Sequence, residues 1–321
     1  MLPIPDLLSL EPTLVVDRAA LEEILDLAAL GRKIGTEIDD SLARARLETG
    51  TWRPEFFEHD LFLAELVGSC FTLEVSGREY PVNRRFLRRA LAHVPTSLET
   101  VDFRQGIVRE LADDVAVRES AYGLYVALFD LVSLHKTPSY QTDLDVASFH
   151  LDILQQARHV IDFMEREFRS ARSGLRRLHE SGVAIQQTEE YRTLVSLLDY
   201  ESSMARLQLD VTVGADGRIR RFDVERLEED SKNRFWRSPL GRFRDRLRLL
   251  FNGYPMSSRE LTQRLINDIY RRLSPHFVPM VQLIGHLEFY LTALSFRDRA
   301  QAVGLEMTLA EVDDESPLLL D

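Results

Sequence analysis

Residues 142–182 read TDLDVASFHLDILQQARHVIDFMEREFRSARSGLRRLHESG. Within them Val146, Phe149, Ile153, Ala157, Val160, Met164, Phe168, Ala171, Leu175 and Leu178 recur at spacings of 3, 4, 4, 3, 4, 4, 3, 4 and 3. The mean of about 3.56 is the period of an amphipathic α-helix, with charged residues on the remaining faces. The spacing therefore predicts one continuous helix of roughly 40 residues, on the order of 60 Å long at about 1.5 Å per residue. A rod of that length lies along other helices or projects as an arm, and a mean spacing near 3.5 suits a near-parallel or antiparallel partner. The expected fold class is mainly α, a helical core with long lever helices and a small β-hairpin at a clamp-like tip.

Downstream of the rod, a helix is expected from about Thr188 through Leu194, Leu197 and Leu198. A strand pair follows over 207–213 and 218–224, joined by Gly214-Ala215-Asp216-Gly217, whose Asp-Gly step supplies the positive φ angles of a tight turn. Asn252-Gly253-Tyr254-Pro255 reads as another turn. Ser258 caps a helix through Leu261, Leu265, Ile269 and Leu273, interrupted by Pro275 and Pro279, and a final helix through Val281, Ile284, Leu287, Leu291 and Leu294 ends at Gly304.

Upstream, residues 2–11 read as an extended arm. Asp17 caps a helix through Leu21, Ile24, Leu25 and Ala28 that ends at Gly31, and a short helix starts at Thr36. Alternation over 70–75 and 78–82 around Ser76-Gly77 predicts a hairpin, with Cys70 in its first strand. Thr96 and Glu99 have the spacing of a capping box, and a helix holding Tyr122, Tyr125, Leu128 and Leu131 stops near Lys136-Thr137-Pro138. The implied divisions are an arm with short helices (1–50), a helical core (51–140), outgoing levers (141–204), a hairpin with a basic tip (205–255), returning helices (256–312) and an acidic tail (313–321).

The 321 residues are 45% hydrophobic and 29% charged, a balance that folds. The single cysteine, Cys70, cannot close an intramolecular disulfide, and the first thirty residues carry no secretory pattern, which points to the cytoplasm. Uninterrupted apolar runs fall far short of the roughly 20 residues that span a bilayer, so no membrane partner is expected. The formal charge of −12 excludes a surface that coats nucleic acid everywhere. The charge is uneven, however. Residues 1–60 hold 13 acids and 6 bases, and residues 306–321 hold six acids and no base. Residues 218–248 hold 11 bases and 6 acids, a local excess of 11 − 6 = +5.

Catalytic machinery is not found. The lysines, Lys33, Lys136 and Lys232, do not complete a phosphate-binding loop, and no Glu-x-x-His or His-Glu-x-x-His ligand spacing occurs. Gly-x-Ser-x-Gly is absent, and Cys70 reads as a small buried hydrophobe. His59 between Glu58 and Asp60 reads as a solvated loop histidine, and the acids Glu165, Glu167, Glu228, Glu229 and Asp230 as solvated faces. No catalytic residue, metal ligand or cofactor is assigned to these residues.

The remaining chemistry is basic. Arg218, Arg220 and Arg221 on the returning strand, then Arg234, Arg237, Arg242 and Arg244 interleaved with Phe235, Trp236 and Phe243, combine guanidinium forks with aromatic rings. Such forks match phosphate oxygens bidentately, so these seven arginines are the candidate DNA-backbone contacts. The bland alternative keeps the aromatics in a small core and the arginines solvated. Arg84, Arg85, Arg88 and Arg89 read as a helix surface.

The segment Ser97-Leu98-Glu99-Thr100-Val101-Asp102-Phe103-Arg104-Gln105-Gly106-Ile107-Val108-Arg109-Glu110-Leu111 resembles a Leu-x-Thr-Val/Ile-x-x-Arg-Gln-x-x-Val/Ile pattern of MutS-type DNA mismatch-repair proteins. Phe57 to Leu63 and His286 to Leu294 before Gly304-Leu305 are similar to a bacterial MutS-related branch, so that the likeness spans about 50–312. The resemblance implies a core with levers, a clamp that touches DNA backbone, and a following ATPase domain that dimerises and binds ATP and Mg. This sequence departs from that pattern: it stops at Asp321 before any ATPase, as a fragment of a longer protein would, and it lacks the mismatch-reading domain, which leaves Phe56-Phe57-Glu58 a coincidental match to the family wedge. The expectation is a non-catalytic core, lever and clamp module that holds a charged β-tip away from the body on a rigid rod. The alternatives are a helical protein–protein scaffold without DNA binding and a small-molecule enzyme, for which no convergent pocket can be assembled.

Overall fold

The computed structural model describes residues 5–29, 32–48, 53–136, 143–204, 208–213, 219–226 and 258–310. The chain opens with an arm followed by α1 (Arg18–Ala29), whose first turn is capped by Asp17 accepting from Ala20 N–H at 3.1 Å. Then come α2 (Glu37–Ala43), α3 (Pro54–Asp60), α4 (Leu63–Cys70), and the strands β1 (Leu73–Val75) and β2 (Arg78–Tyr80). Ser76 and Gly77 take φ values of 52° and 78°, the two positive angles of a two-residue hairpin turn, and set Val75 opposite Arg78. Helices α5 (Arg84–Ala92), α6 (Leu98–Asp113), α7 (Val115–Lys136), α8 (Asp143–Glu167), α9 (Arg176–Gln186) and α10 (Glu189–Met204) follow. After α10 come β3 (Gln208–Val213), β4 (Ile219–Arg226), α11 (Ser258–Leu273), a 3-10 turn (Ser274–His276) and α12 (Phe277–Ala302).

The chain forms two compact units. One joins Met1–Gln187 to Tyr270–Asp321, and the other, Thr188–Ile269, is a single stretch inserted between them. In the first unit the core runs along α12, which is apolar on nearly every side. Phe277, Val278, Met280, Val281, Leu283, Leu287, Tyr290, Leu291 and Leu294 are each no more than 2% exposed. A helix apolar all round has to be covered all round, and α12 meets α1, α2, α5, α6, α7 and β1. Residues 266–302 do contain an 18-residue window apolar enough to cross a membrane by composition, which a search for uninterrupted apolar runs overlooks, and 83% of that window is buried inside the fold.

The expected rod over 142–182 is broken. Helix α8 stops at Glu167, residues 168–175 turn, and α9 runs back antiparallel: His179 Nδ1 lies 2.6 Å from the Glu165 carbonyl, and Gln186 donates to Asp162 at 2.9 Å. The break has a tertiary cause. Glu110 of α6 accepts from Arg172 N–H at 2.6 Å and Ser173 N–H at 2.9 Å, and also from the Ser173 hydroxyl, diverting donors that a continuous helix would spend on its own ladder. Gly174 sits where a Cβ would meet the Phe103 ring at 2.4 Å. The burial pattern survives the turn, because Phe149, Ile153, Ala157, Val160, Met164, Phe168, Ala171, Leu175 and Leu178 are all buried. Both arms of the helical hairpin face one core, so the 3.6 period runs on through a reversal it cannot register.

Smaller expectations shift as well. The α6 cap is Ser97, whose hydroxyl accepts from Thr100 N–H at 3.2 Å, because Thr96 is engaged by Glu48 at 2.8 Å. Cys70 ends α4 rather than starting a strand, half-buried beside Val67, Phe71 and Leu87. Pro275 lies in the 3-10 turn, whereas Pro279 falls in the first turn of α12, where no intrahelical donor is needed. The strand pair is present, with β3 and β4 antiparallel, Thr212 opposite Arg221 and Val213 opposite Ile219. The expected turns at 214–217 and 252–255, the helix end at Gly31 and the acidic tail at 313–321 lie outside the described residues.

Packing of α8 on α9 depends on Gly182, where a Cβ would approach the Glu165 backbone nitrogen to 2.7 Å. Gly68 of α4 has nothing within 4 Å of a Cβ. Gly182→Ala is therefore expected to lower stability by about 1–2 kcal/mol through overpacking, while Gly68→Ala raises it by about 0.5–1 kcal/mol through backbone entropy. Urea denaturation of the two variants checks the opposite signs.

Candidate functional site

Of the seven candidate arginines, Arg220 and Arg221 lie on β4, the strand paired with β3. Arg218, Arg234, Arg237, Arg242 and Arg244 lie outside the described residues, as do Phe235, Trp236, Phe243 and the acids Glu228, Glu229 and Asp230. Three of the four α5 arginines serve the fold. Arg85 pairs with Asp40 at 2.8 Å, Arg88 with Glu58 at 3.4 Å, and Arg89 donates to the Ala43 carbonyl. His59 is exposed beside Asp60, 3.2 Å away. Phe56 is 60% exposed.

Among the described residues, two networks of titratable side chains converge on α12. In the first, Asp6 is 1% exposed and accepts from Leu8 N–H at 2.8 Å, Ser9 N–H at 3.2 Å, and Thr13 N–H and hydroxyl at 3.1 and 3.2 Å. This winds the N-terminal arm around one carboxylate. Side chains of α12 at i, i+4 and i+8 then hold the arm's backbone. Gln282 accepts from Val15 N–H at 2.7 Å and donates to the Thr13 carbonyl at 2.8 Å. His286 Nδ1 accepts from Leu7 N–H at 3.2 Å, and the Tyr290 hydroxyl donates to the Leu7 carbonyl at 2.6 Å. Arg104 of α6 donates to the Leu8 carbonyl at 2.7 Å. Arg177 of α9 donates to the carbonyls of Asp6 at 2.9 Å and Ser9 at 2.6 Å, and it packs 4.3 Å from the Phe103 ring centroid. Burial pushes His286 down to about 4, so its 3.5 Å approach to Asp6 at neutral pH is a contact between a carboxylate and a neutral ring, not an ion pair.

In the second network Glu288 is 3% exposed and accepts from Asn83 N–H at 2.9 Å, while its other oxygen lies 3.2 Å from the Tyr125 hydroxyl. That hydroxyl is also 3.3 Å from the Pro81 carbonyl. A phenol has one proton to give. Tyr125 donates to Glu288 and has the Pro81 carbonyl as a second acceptor within reach of the same proton. Desolvation pushes the Glu288 carboxyl up to about 8 in spite of the Asn83 and Tyr125 bonds. Arg177 also lines an open cleft, but the hydrogen bonds of both networks run mainly between segments of the fold and tie the arm, α5 and α7 to α12.

A third cluster was missed by periodicity. Reversal of the chain between α8 and α9 gathers Arg169, Arg172, Arg176 and Arg177 into one loop, whereas a continuous helix would have strung them along a solvated face. Beside it lies an open cleft of about 440 Å³ lined by Asp102, Phe103, Gly106, Ser173, Gly174 and Glu180 with three of those arginines. Arg169 and Arg172 are exposed. The signal that could have located this cluster is Ser173-Gly174 itself, a turn step inside a helical pattern.

The sign of the Glu288 linkage follows from its raised value. The neutral carboxyl contributes stability that is fully present below about 4.5 and is lost as pH rises through about 8. His286 and His135, both pushed down to about 4 by burial, contribute stability that is present above about 6.5 and lost as pH falls through about 4. Glu288→Gln keeps an acceptor for Asn83 without the ionisation. Its urea stability relative to wild type is expected to be higher near pH 9 than near pH 5.5 by on the order of 3 kcal/mol. An unchanged difference between the two pH values would show that Glu288 ionises freely in the fold.

No family model, no curated protein and no solved structure matches this chain.

Proposed function

We propose that this chain is a non-catalytic core, lever and clamp module of the MutS type, which contacts DNA backbone without reading bases. The observation that carries the reading is the insertion of the compact unit Thr188–Ile269 into a helical body, with an antiparallel strand pair and the basic segment 218–248 between an entering helix, α10, and a leaving helix, α11. A segment that leaves a helical core and returns to it with arginines on board suits a clamp that grips phosphates.

The MutS-like motif supports the same reading from the other unit. Leu98 to Leu111 lies in α6, where Arg104 ties down the arm at Leu8 and Gln105 donates to the Ala310 carbonyl at 2.8 Å, so the motif gathers segments from both ends of the chain. Since the rod at 142–182 is a folded-back pair of helices, the lever role passes to α10 and α11, of 16 residues each. Any ATP and Mg chemistry, and dimerisation through an ATPase domain, belongs to a larger assembly in this reading, and a cytoplasmic location accords with it.

The scaffold reading draws on one observation. Val303, Leu305, Met307 and Leu309 alternate in sequence after α12 and are 76%, 60%, 37% and 39% exposed, which suits a protein partner.

Duplex DNA binding across a salt series separates the readings. Seven arginine–phosphate contacts predict that log affinity falls against log salt with a slope of about −6, and Arg220→Ala/Arg221→Ala is expected to make that slope shallower by nearly 2. Absence of binding even at low salt favours the scaffold.

A further inference from the structure

We propose that the loop between α8 and α9 is a second phosphodiester-binding surface, at which Arg169, Arg172 and Arg176 take the phosphates of a nucleic-acid strand. The choice of nucleic acid among polyanions rests on the reading of the chain as a DNA-contacting module; the surface itself rests on geometry in the described residues.

The loop's own sequence is basic. Residues 168–178, Phe-Arg-Ser-Ala-Arg-Ser-Gly-Leu-Arg-Arg-Leu, contain four arginines and no acid. Its four arginines divide into two roles. Arg177 is consumed by the fold, with its guanidinium donating to the arm carbonyls and packed on Phe103. Arg169 and Arg172 are exposed, and among the described residues no hydrogen bond or ion pair holds either guanidinium. Arg176, half-buried, steadies the turn by donating to the Arg169 carbonyl and reaches the cleft wall.

The backbone beneath these side chains is fixed, which lowers the entropy lost on binding. Glu110 holds the amides of Arg172 and Ser173, the Ser173 hydroxyl sits 3.3 Å from Leu175 N, and Gly174 lies flush on Phe103 and Ile107. The two free guanidinium groups therefore stand on a rigid crest. Asp102 and Glu180 line the neighbouring cleft and disfavour an anion seated deep within it. Exposed Arg forks are the usual phosphate contact.

The test uses the full chain and a short fluorescein-labelled DNA duplex titrated from about 50 to 200 mM salt. Arg169→Ala/Arg172→Ala is expected to weaken binding about tenfold or more at the lower salt and to make the salt slope shallower by nearly 2, about 0.9 for each phosphate that is no longer neutralised. Arg169→Lys/Arg172→Lys, which keeps the charge, is expected to retain most of the slope. Both positions are exposed, so equal urea midpoints for variants and wild type serve as the folding control. Wild-type affinity and slope in the alanine variant, with weakened binding in Arg220→Ala/Arg221→Ala, would overturn this inference and leave the clamp reading standing. Weakened binding in the loop variant alone supports the loop and counts against the clamp. Equal weakening on anionic phospholipid vesicles or on a polyglutamate peptide would overturn the nucleic-acid assignment, and a wild-type chain that binds no duplex at low salt overturns both readings.

Discussion

Burial of polar side chains on α12 is the constraint from which most of the first unit follows. Gln282, His286, Glu288 and Thr292 sit on a helix covered on nearly every side, and each is at most 3% exposed. A buried polar group without a partner costs on the order of 1–3 kcal/mol. Each of the four therefore dictates something about its neighbours. Gln282 and His286 require backbone donors, which the arm supplies at Val15 and Leu7, and Glu288 requires Asn83 and Tyr125. Thr292 is satisfied within the helix, by donating to the Glu288 carbonyl at 2.6 Å. Residues more than two hundred positions apart are joined in this way by side chains that apolar packing alone would have left out.

The same logic extends to α6 and the loop after α8. Arg104 and Arg177 bring guanidinium groups against the arm's carbonyls, and Asp6 closes the arm on itself, so the arm is held by α6, α9 and α12 together. Glu110, one turn beyond Gly106, collects two backbone amides and a hydroxyl from the turn that reverses the chain. A single carboxylate thus separates α8 from α9. The loop's position on the unit, and the exposure of its arginines, is a consequence of core satisfaction and not of local preference.

The two proposed phosphate surfaces differ in how the chain presents them. On β4, Arg220 and Arg221 are carried by an antiparallel ladder within an inserted unit, with register shifts on β3 near Gln208 and near Thr212. On the α8–α9 loop, the arginines stand on a turn pinned from beneath by Glu110. On the loop, arginine stands on backbone that α6 already holds, which lowers the entropy lost when the side chain binds. The formal charge of −12 is then carried elsewhere, by segments such as 1–60.

Which residues are inside was legible without coordinates. The 3.6 period from Phe149 to Leu178 marks buried positions throughout, Ser76-Gly77 marks a tight turn, and Asp17 and Ser258 mark helix starts, because these depend on local geometry and on hydrophobic spacing. The direction of the chain between those positions was not legible. Period reports which face is apolar, and a helical hairpin whose two arms share one core has the same period as a straight rod. The reversal was decided by Glu110, more than sixty residues away in sequence, and by the close approach of Gly174 to Phe103 and of Gly182 to Glu165. The protonation of Glu288 and the neutrality of His286 likewise belong to the tertiary structure alone, since desolvation is a property of what surrounds a group and not of the residues beside it in the chain.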